Sequence, residues 1–335
     1  MNTRTPVYRK HIDHPSAWTA HTLKGKEGLI YELSPQHLEA IDELLARTGH
    51  LAPQKVTRQD FQHPVTDALL AELREIILNG VGTVIIRGIT PQRYNPEQFE
   101  RIFWGFGTHW GTATVQSYTG ARLAHVREEK NNVHARGYLT SAELKPHTDS
   151  FETVGLMCVN RAESGGYSRM VSTLSIHNEM LRHRPELLEP LYRGVPNAVL
   201  EAKGTEDAVT KFNVPVFSCV DGQVSCLFSR QFITAAVEQS GVPLPADFEQ
   251  ALAYFEQLAN SDELRLHFLL EPGEMMVWNN FVILHSRTDF VDSEKHRRDL
   301  LRLWLNVENG RHVVPELYTW ARVYEKLSAK RMAQA

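Results

Sequence analysis

The strongest constraint on the fold is the texture of the chain beyond residue 138, where short apolar runs alternate with turn residues. The clearest runs are residues 153–159, 213–220, 223–228 and 264–270. Runs of this kind are typical of strands in an all-β sandwich or barrel. Two segments, at about residues 176–192 and 246–259, have helical spacing instead. The sequence therefore predicts a β-rich core with helical insertions between its strands.

The clearest turn in the chain is Glu271-Pro272-Gly273-Glu274. Proline presets φ at one turn position, and glycine relieves strain at the next. Residues 264–268 alternate with the period of a strand and residues 275–278 are apolar, so we predict a hairpin in which these two strands pair. A further strand at residues 281–285 would end at His285.

The N-terminal part, residues 1–80, reads as mostly helical. Ser34-Pro35 has the pattern of an N-cap followed by proline at the first helical position, and Asn95-Pro96 repeats it. Residues 83–87 form a β-branched run between glycines and are predicted as a strand. We expect one domain over residues 1–335, with its core at 81–306 and a C-terminal helix within 307–335. That helix is expected to pack on the core, although it could also bury the surface of a homo-oligomer.

The overall charge excludes several kinds of partner. The chain has 36 basic and 40 acidic residues and a formal net charge of −4, so no positive field recruits nucleic acid or anionic lipid. No apolar run approaches the length needed to span a bilayer, and residues 1–18 lack the apolar segment of a signal peptide. Three cysteines without C-x-x-C spacing indicate buried free thiols. We expect a cytoplasmic protein with a small-molecule partner.

His147-Thr148-Asp149 places two potential metal ligands two residues apart. On an extended segment such residues face the same side, so both side chains can reach one metal ion. A third ligand from a distant strand, for which His285 is the candidate, would complete a 2-His-1-carboxylate face, the arrangement of non-haem iron(II) oxygenases. His-x-Asp alone is common, and His285 taken by itself is better interpreted as a hydrogen-bonded histidine at a strand end.

Arg298 lies thirteen residues after His285, at the start of a predicted strand over residues 299–306. On this strand Arg298, Leu300, Arg302 and Trp304 would share one face, and leucines would line the other. A strand covered on both sides buries its arginines, which then need an anionic partner. That partner is either a protein carboxylate, with Glu274 or Asp289 as candidates, or the carboxylate of a ligand.

Taken together, these landmarks resemble the TauD/TfdA family of 2-oxoglutarate dioxygenases. The resemblance covers roughly residues 80–306, and it rests on their order rather than on any one of them. The landmarks are Pro146-His147-Thr148-Asp149-Ser150, Gly165-Gly166-Tyr167-Ser168, Pro272-Gly273-Glu274, Trp278-Asn279-Asn280, His285 and Arg297-Arg298-Asp299-Leu300-Leu301-Arg302.

The resemblance implies a mainly β fold with flanking helices, a double-stranded β-helix or jelly roll. It implies that His147, Asp149 and His285 bind Fe(II), and that Arg298 pairs with the distal carboxylate of the cosubstrate 2-oxoglutarate. Ser168, where many members have threonine, would hydrogen-bond the same carboxylate. Arg302 matches an arginine that binds either the cosubstrate or an anionic group on the substrate. The implied reaction consumes O2, converts 2-oxoglutarate to succinate and CO2, and oxidises an unactivated carbon.

The reaction type and the substrate are only partly constrained. Halogenating members of related families lack the carboxylate, so Asp149 favours hydroxylation, while desaturation, epoxidation and cyclisation stay open. We expect a small or medium-sized metabolite, with an anionic or amino-acid-like group. Gln116, Tyr118 and Arg127 precede the metal motif, where relatives contact substrate, but they are interpreted as ordinary strand and loop residues.

Two alternatives use the same residues. A zinc-dependent hydrolase could be built on two histidines and one aspartate, although it would need a general base and has no use for the arginines. A non-catalytic jelly roll could bind a small acid through Arg298. Metal identity separates the first alternative from the oxygenase, and oxygen-dependent succinate production separates the second.

Overall fold

Two β-sheets face each other at the centre of the structure. The Thr83 hydroxyl of one sheet lies 3.8 Å from the Met170 sulfur of the other. Trp278 and His285, also on opposite sheets, have ring centroids 4.7 Å apart. The structure is a computed structural model that describes residues 6–116, 120–129 and 137–318, together with Lys326 and Ala329. This arrangement of two packed sheets is that of a β-sandwich.

The strands of the described residues follow each other in the order β1 (Ile30–Glu32), β2 (Thr83–Arg87), β3 (Thr112–Ala113), β4 (Leu123–Val126), β5 (Leu144–His147), β6 (Thr153–Asn160), β7 (Ser164–Gly165), β8 (Ser168–Ser172), β9 (Phe217–Val220), β10 (Gln223–Cys226), β11 (Leu266–Phe268), β12 (Met275–Asn279), β13 (Ile283–Arg287), β14 (Phe290–Val291) and β15 (Asp299–Asn306). The major sheet has the order β1-β2-β12-β6-β15-β3, with β4 also paired to β15. The minor sheet has the order β11-β8-β13-β5. Two short pairs, β9 with β10 and β7 with β14, lie outside these sheets.

The helices of the described residues are α1 (Pro35–Thr48), α2 (Pro64–Leu78), α3 (Pro96–Trp110), α4 (Thr173–His183), α5 (Leu188–Arg193), α6 (Arg230–Ser240) and α7 (Ala246–Ala259). The predicted starts of α1 and α3 are confirmed. Ser34 accepts a hydrogen bond from the His37 amide at 3.2 Å, and Asn95 accepts one from the Gln98 amide at 3.0 Å. Both helices then begin with proline, whose missing N–H needs no partner there.

Strand β15 serves both faces of the major sheet. Its Leu301, Leu303 and Leu305 pack in one apolar cluster with side chains of α1, α2 and α3. Leu300 and Trp304 belong to a second cluster, which includes residues of the minor sheet. Because neighbouring strand residues point to opposite faces, the helices cover one side of the sheet while the other side faces the sandwich interior. The predicted division of this strand into two faces is confirmed.

The predicted hairpin around Pro272-Gly273 is wrong. The turn itself is present, since the Glu274 amide donates to the Glu271 carbonyl at 2.9 Å and Gly273 has φ of 93°. However, β11 pairs with β8 in the minor sheet, whereas β12 pairs with β2 and β6 in the major sheet. The turn therefore carries the chain from one sheet to the other, because turn chemistry sets the reversal of the chain and not the partner of each strand.

Other boundaries differ from the prediction in smaller ways. The insertion at 176–192 is two helices, α4 and α5, while the insertion at 246–259 coincides with α7. Helix α6 was not predicted; its buried residues are Ile233 and Ala236, too few for a clear amphipathic pattern. Strand β1 was also missed, since three residues carry no readable period. His285 lies in the middle of β13 and not at its end.

Near the C-terminus, residues 315–318 are helical, and most of the predicted helix, including Trp320, lies outside the described residues. The single-domain organisation stays a prediction. No helix within the described ranges is long and apolar enough to cross a membrane.

Two ion pairs of His125, one within the major sheet and one to α3, make stability depend on pH. The Nδ1 atom of His125 on β4 lies 2.9 Å from the Asp299 carboxylate, and its Nε2 atom lies 3.7 Å from Glu100 of α3. The hydrogen bond to Asp299 outweighs the effect of burial and raises the pKa of His125 above its usual 6.5. A raised folded-state pKa stabilises the fold fully below pH 6.5 and loses this contribution as pH rises through the folded-state value.

We therefore expect His125→Gln to lower the melting temperature more at pH 6 than at pH 8.5. Because the side chain is 37% exposed, the extra loss of stability should be only about 0.2–1 kcal/mol. Thermal unfolding of both proteins at the two pH values measures it, with the shared titration of all other groups cancelling in the difference. An equal loss at both pH values would contradict the prediction.

Candidate functional site

His147, Asp149 and His285 meet on the inner side of the minor sheet. His147 ends β5 and lies directly opposite His285 of β13 in the antiparallel register. Asp149 follows in the next loop, where the Asn280 side chain brackets its backbone: Oδ1 accepts from the Asp149 amide at 2.9 Å and Nδ2 donates to the Asp149 carbonyl at 2.8 Å. One strand pair and one side-chain clamp thus bring together residues that are far apart in the sequence.

The three side chains are close enough to hold a single metal ion. Their candidate ligand atoms all lie within 4.8 Å of one another. The Asp149 carboxylate is 4.0 Å from Nε2 of His147 and 3.7 Å from Nε2 of His285. With two imidazoles and one carboxylate, the donor set suits iron(II) and leaves other coordination positions to ligands.

The hydrogen bonds and protonation states also suit a metal. Nδ1 of His147 lies 2.8 Å from the Lys145 carbonyl, which can only accept, so Nε2 carries the free lone pair. Burial, with a smaller contribution from His147, lowers the pKa of His285 to about 3, so its ring is neutral. Burial by itself would raise the pKa of Asp149, but the neighbouring His285 and Arg302 and the hydrogen bond from Trp304 lower it. His285 and Asp149 are therefore in the protonation states that bind metal ions.

A cavity of about 520 Å³ opens above this cluster. Its walls come from both sheets, from the segment around Tyr138 and from the first turn of α6. The three metal candidates line it, and so do three buried arginines, Arg287, Arg298 and Arg302. A pocket of this volume accommodates a small molecule.

Arg298 is buried without a carboxylate partner among the described residues. Its side chain donates to the Val126 carbonyl at 3.3 Å and lies over the Phe290 ring, 5.3 Å from the centroid. Burial lowers its pKa to about 10. Glu274, one of the two carboxylates considered as partners, is instead paired with Lys26 and Arg87. The Arg298 guanidinium thus remains available to an anionic ligand in the cavity.

The side chain of Arg302 contacts Gln116 and two aromatic rings, while its Nη2 atom is open to a ligand. Its Nε donates to Gln116 Oε1 at 2.7 Å, and its guanidinium lies over the rings of Tyr138 and Trp304, at 4.3 and 4.4 Å from their centroids. Its Nη2 is buried and has no hydrogen-bond partner in the described part of the chain. A buried donor left without a partner costs stability unless a ligand satisfies it.

Arg287 was not predicted as a site residue. It donates to the carbonyls of Thr140 and Ala142, and its guanidinium lies 4.8 Å from the Phe290 ring centroid. Burial and the charge of Arg298 lower its pKa to about 9. Its position two residues after His285 is the signal that could have found it, because residues i and i+2 of a strand share a face.

The remaining candidates divide between the cavity and other places. Ser168, the first residue of β8, is buried and lines the cavity. Gln116 is buried behind Arg302, so it supports the site without lining it. Arg127 is exposed, and Tyr118 lies outside the described residues. Trp304 and Asn280 were missed as partners of Asp149, because only the folded sheets bring them together.

Comparison with known proteins gives relatives along most of the chain. FR-33289 synthase of Streptomyces rubellomurinus (strain ATCC 31215) is 31% identical over 329 residues, which cover 93% of this chain and 95% of the relative. The taurine hydroxylase-like protein SAT17 of Stachybotrys chartarum is 28% identical over 312 residues, which cover 87% of this chain and 79% of the relative. A uridine-5'-phosphate dioxygenase of a Streptomyces species is 26% identical over 50% of this chain and 60% of its own.

Solved structures share the fold. Asparagine oxygenase in complex with Fe(II), 2S,3S-3-hydroxyasparagine and succinate superposes with a TM-score of 0.66 at 15% identity, covering 83% of this chain and 93% of that one. The non-haem iron oxygenase OrfP in complex with Fe and alpha-ketoglutaric acid superposes with a TM-score of 0.61 at 16% identity, covering 83% and 94%. The two facing sheets are therefore a double-stranded β-helix, and the predicted fold class is confirmed.

The family model of the taurine catabolism dioxygenases, the TauD, TfdA family, matches residues 31–304, which is most of the chain. The match begins at β1 and ends in β15, so it includes both sheets and every metal candidate. The chain belongs to the TauD/TfdA family and is an Fe(II)- and 2-oxoglutarate-dependent dioxygenase.

Proposed function

We propose that this dioxygenase hydroxylates an unactivated carbon of a small metabolite that carries an anionic group. The observation that carries the proposal is the combination of one His-Asp-His cluster with buried arginines that face the same cavity and lack carboxylate partners among the described residues. The action on such a substrate, the cytoplasmic location and any homo-oligomer stay predictions.

His147, Asp149 and His285 are proposed to hold the iron. Three features suit a divalent metal: Nδ1 of His147 is engaged by the Lys145 carbonyl, the ring of His285 is neutral, and the pKa of Asp149 is lowered. When bound, iron and 2-oxoglutarate supply the oxidising chemistry, in which O2 is consumed, 2-oxoglutarate is decarboxylated to succinate and a substrate C–H bond is oxidised.

Arg298 is proposed to bind the distal carboxylate of 2-oxoglutarate. Its buried planar guanidinium matches a carboxylate in shape and charge. Ser168 lines the cavity beside it and offers a hydroxyl donor. Gly166 keeps this corner open, since a Cβ there would lie 3.2 Å from Arg298 Nε on a backbone with φ of 72°. The chain thus orients the cosubstrate through one charge pair and one hydrogen bond.

Arg302 is proposed to bind an anionic group of the substrate. One distal carboxylate of the cosubstrate is matched by Arg298, which leaves the buried Nη2 of Arg302 to a second anion. Its contacts with the rings of Tyr138 and Trp304 restrain the guanidinium, so little entropy is lost when an anion binds. The name of the uridine-5'-phosphate dioxygenase includes a phosphate, which is consistent with this substrate class.

The alternative functions have less support. The carboxylates that line the cavity within the described residues are Asp149 and Glu143. Glu143 is paired with Arg169 and Lys145, both of which lower its pKa, so it is a poor general base for a hydrolase. Membership of a dioxygenase family also argues against a non-catalytic acid-binding protein.

The test of the cofactor site is an anaerobic titration of metal-free protein with Fe(II) and 2-oxoglutarate. A weak visible charge-transfer band should appear when the 2-keto acid chelates iron. Wild-type protein that shows no band while binding zinc tightly would overturn the proposed site.

We further expect Arg302→Met to raise the KM for an anionic substrate by roughly 30-fold or more, because truncating one member of a buried charge pair costs about 2–5 kcal/mol. Candidate acids and their neutral esters are screened by succinate release, and the KM is measured for the best acid. The 2-oxoglutarate KM serves as the internal control and should change much less. A preference for neutral compounds would contradict the anionic substrate class.

A further inference from the structure

Trp304 contacts both the Asp149 carboxylate and the Arg302 guanidinium. It lies on β15 two residues after Arg302, so the two side chains share the face that lines the cavity. Its side chain is buried, and its ring packs against Phe151 with centroids 5.5 Å apart. An indole packed in this way has little rotational freedom.

One edge of the indole holds the carboxylate of Asp149. Trp304 Nε1 donates to Asp149 Oδ2 at 2.8 Å, a hydrogen bond to an ionised acceptor inside a largely buried site. The bond fixes the rotation of the carboxylate and occupies part of one oxygen. The other oxygen, Oδ1, is then the one more freely presented to a cation.

The face of the same indole carries the guanidinium of Arg302, at 4.4 Å. The guanidinium also lies over the Tyr138 ring, and Gln116 accepts a hydrogen bond from its Nε. Arg302 Nη2 has no hydrogen-bond partner among the residues that the structure describes, so it is the end of the guanidinium open to a ligand. An anion bound there would pull the guanidinium, and any shift of the guanidinium must be followed by the indole or open a gap between them.

We propose that Trp304 is a positioning residue that couples the anion subsite at Arg302 to the metal-binding carboxylate of Asp149. The inference rests on the proposed function, since it takes Arg302 as the subsite and Asp149 as the ligand. Its physical basis is that one rigid side chain contacts both groups, so the geometry of one constrains the other.

The test compares wild-type protein with Trp304→Phe, which keeps an aromatic face for Arg302 and removes the N–H donor. Trp110→Phe is the matched control, because Trp110 Nε1 donates to the Leu70 carbonyl in the helical layer, away from the cavity. Each protein is titrated with Co(II), whose visible spectrum reports the number and arrangement of its ligands. Methanesulfonate is then added as a small anionic probe, and its binding is measured by calorimetry with Arg302→Met as reference.

We expect Trp304→Phe to weaken Co(II) binding by about 10- to 100-fold, as loss of a partner of a metal ligand commonly does, and to change the spectrum. Methanesulfonate should alter the Co(II) spectrum of the wild-type and Trp110→Phe proteins but not that of Trp304→Phe.

The inference would be overturned, and the proposed function left intact, by either of two results. Trp304→Phe could bind Co(II) with the affinity and spectrum of wild type, or its Co(II) spectrum could respond to methanesulfonate as the wild-type spectrum does. Methanesulfonate that binds through Arg302 without altering the wild-type spectrum would also overturn it. No Arg302-dependent binding of the probe would overturn the anion subsite and the inference with it.

If Trp304→Phe does not fold, the indole N–H signals of ¹⁵N-labelled wild-type protein replace it. Single substitutions of the other five tryptophans assign the Trp304 signal by elimination. That signal should shift when Zn(II) is added and again when methanesulfonate is added. A Trp304 signal that does not shift on addition of Zn(II), or does not shift on addition of methanesulfonate, would overturn the inference.

Discussion

Replacing Asp149 with alanine is expected to weaken Fe(II) binding by more than about 100-fold and to abolish succinate production. Removing a residue that only hydrogen-bonds to a metal ligand typically lowers metal affinity by about 10- to 100-fold. Removing the ligand itself should lower the affinity more. The Asp149 carboxylate also lies within 4.0 Å of both imidazoles, and three buried arginines line the same cavity. Without it, a divalent cation would enter a site with net positive charge.

The measurement is calorimetry of Fe(II) binding under anaerobic conditions, followed by succinate release with 2-oxoglutarate and O2. Glu143→Ala is the matched control, because Glu143 is the other carboxylate lining the described cavity and is paired with Arg169 and Lys145. It should retain Fe(II) affinity close to that of wild type. Tight Fe(II) binding by Asp149→Ala, or equal losses in both variants, would show that Asp149 is not a metal ligand.

Replacing Arg298 with methionine is expected to raise the KM for 2-oxoglutarate by roughly 30-fold or more. The guanidinium is buried, and no carboxylate lies within ion-pair distance of it among the described residues, so a ligand carboxylate would be its main countercharge. The reason is the cost of leaving the ligand's carboxylate buried and unpaired. Arg298→Lys should recover only part of the loss, because an ammonium cannot form two parallel hydrogen bonds to one carboxylate.

Arg297→Met provides the control, because Arg297 is adjacent in sequence but exposed. Its KM for 2-oxoglutarate should equal that of wild type. Thermal unfolding in the presence of Zn(II) gives a second readout: adding 2-oxoglutarate should raise the melting temperature of wild type and Arg297→Met further, but that of Arg298→Met much less, because a ligand stabilises a protein more the more tightly it binds. Equal thermal shifts in all three proteins would contradict the assignment.

Predictions from local sequence patterns were confirmed where neighbouring residues alone determine the structure. The caps at Ser34 and Asn95 begin α1 and α3 because side-chain oxygens satisfy amides within three residues. The two faces of β15 follow from strand alternation alone. The pairing of β11 and β12 could not be obtained in this way, because each strand pairs with residues that are distant in the sequence and that no local pattern specifies.

The sequence by itself determined the family, the fold class and the metal candidates, because their residue types recur in a fixed order along the chain. Only the tertiary structure decided which groups surround them: Asn280 clamping the Asp149 backbone, Trp304 donating to its carboxylate, and Arg287 entering the same cavity. Glu274 and Arg298 illustrate the difference: both are buried and of opposite charge, yet in the folded chain Glu274 pairs with Lys26 and Arg87 instead. Electrostatic partnership depends on distances of a few ångströms across strands, and no spacing along one chain segment encodes those distances.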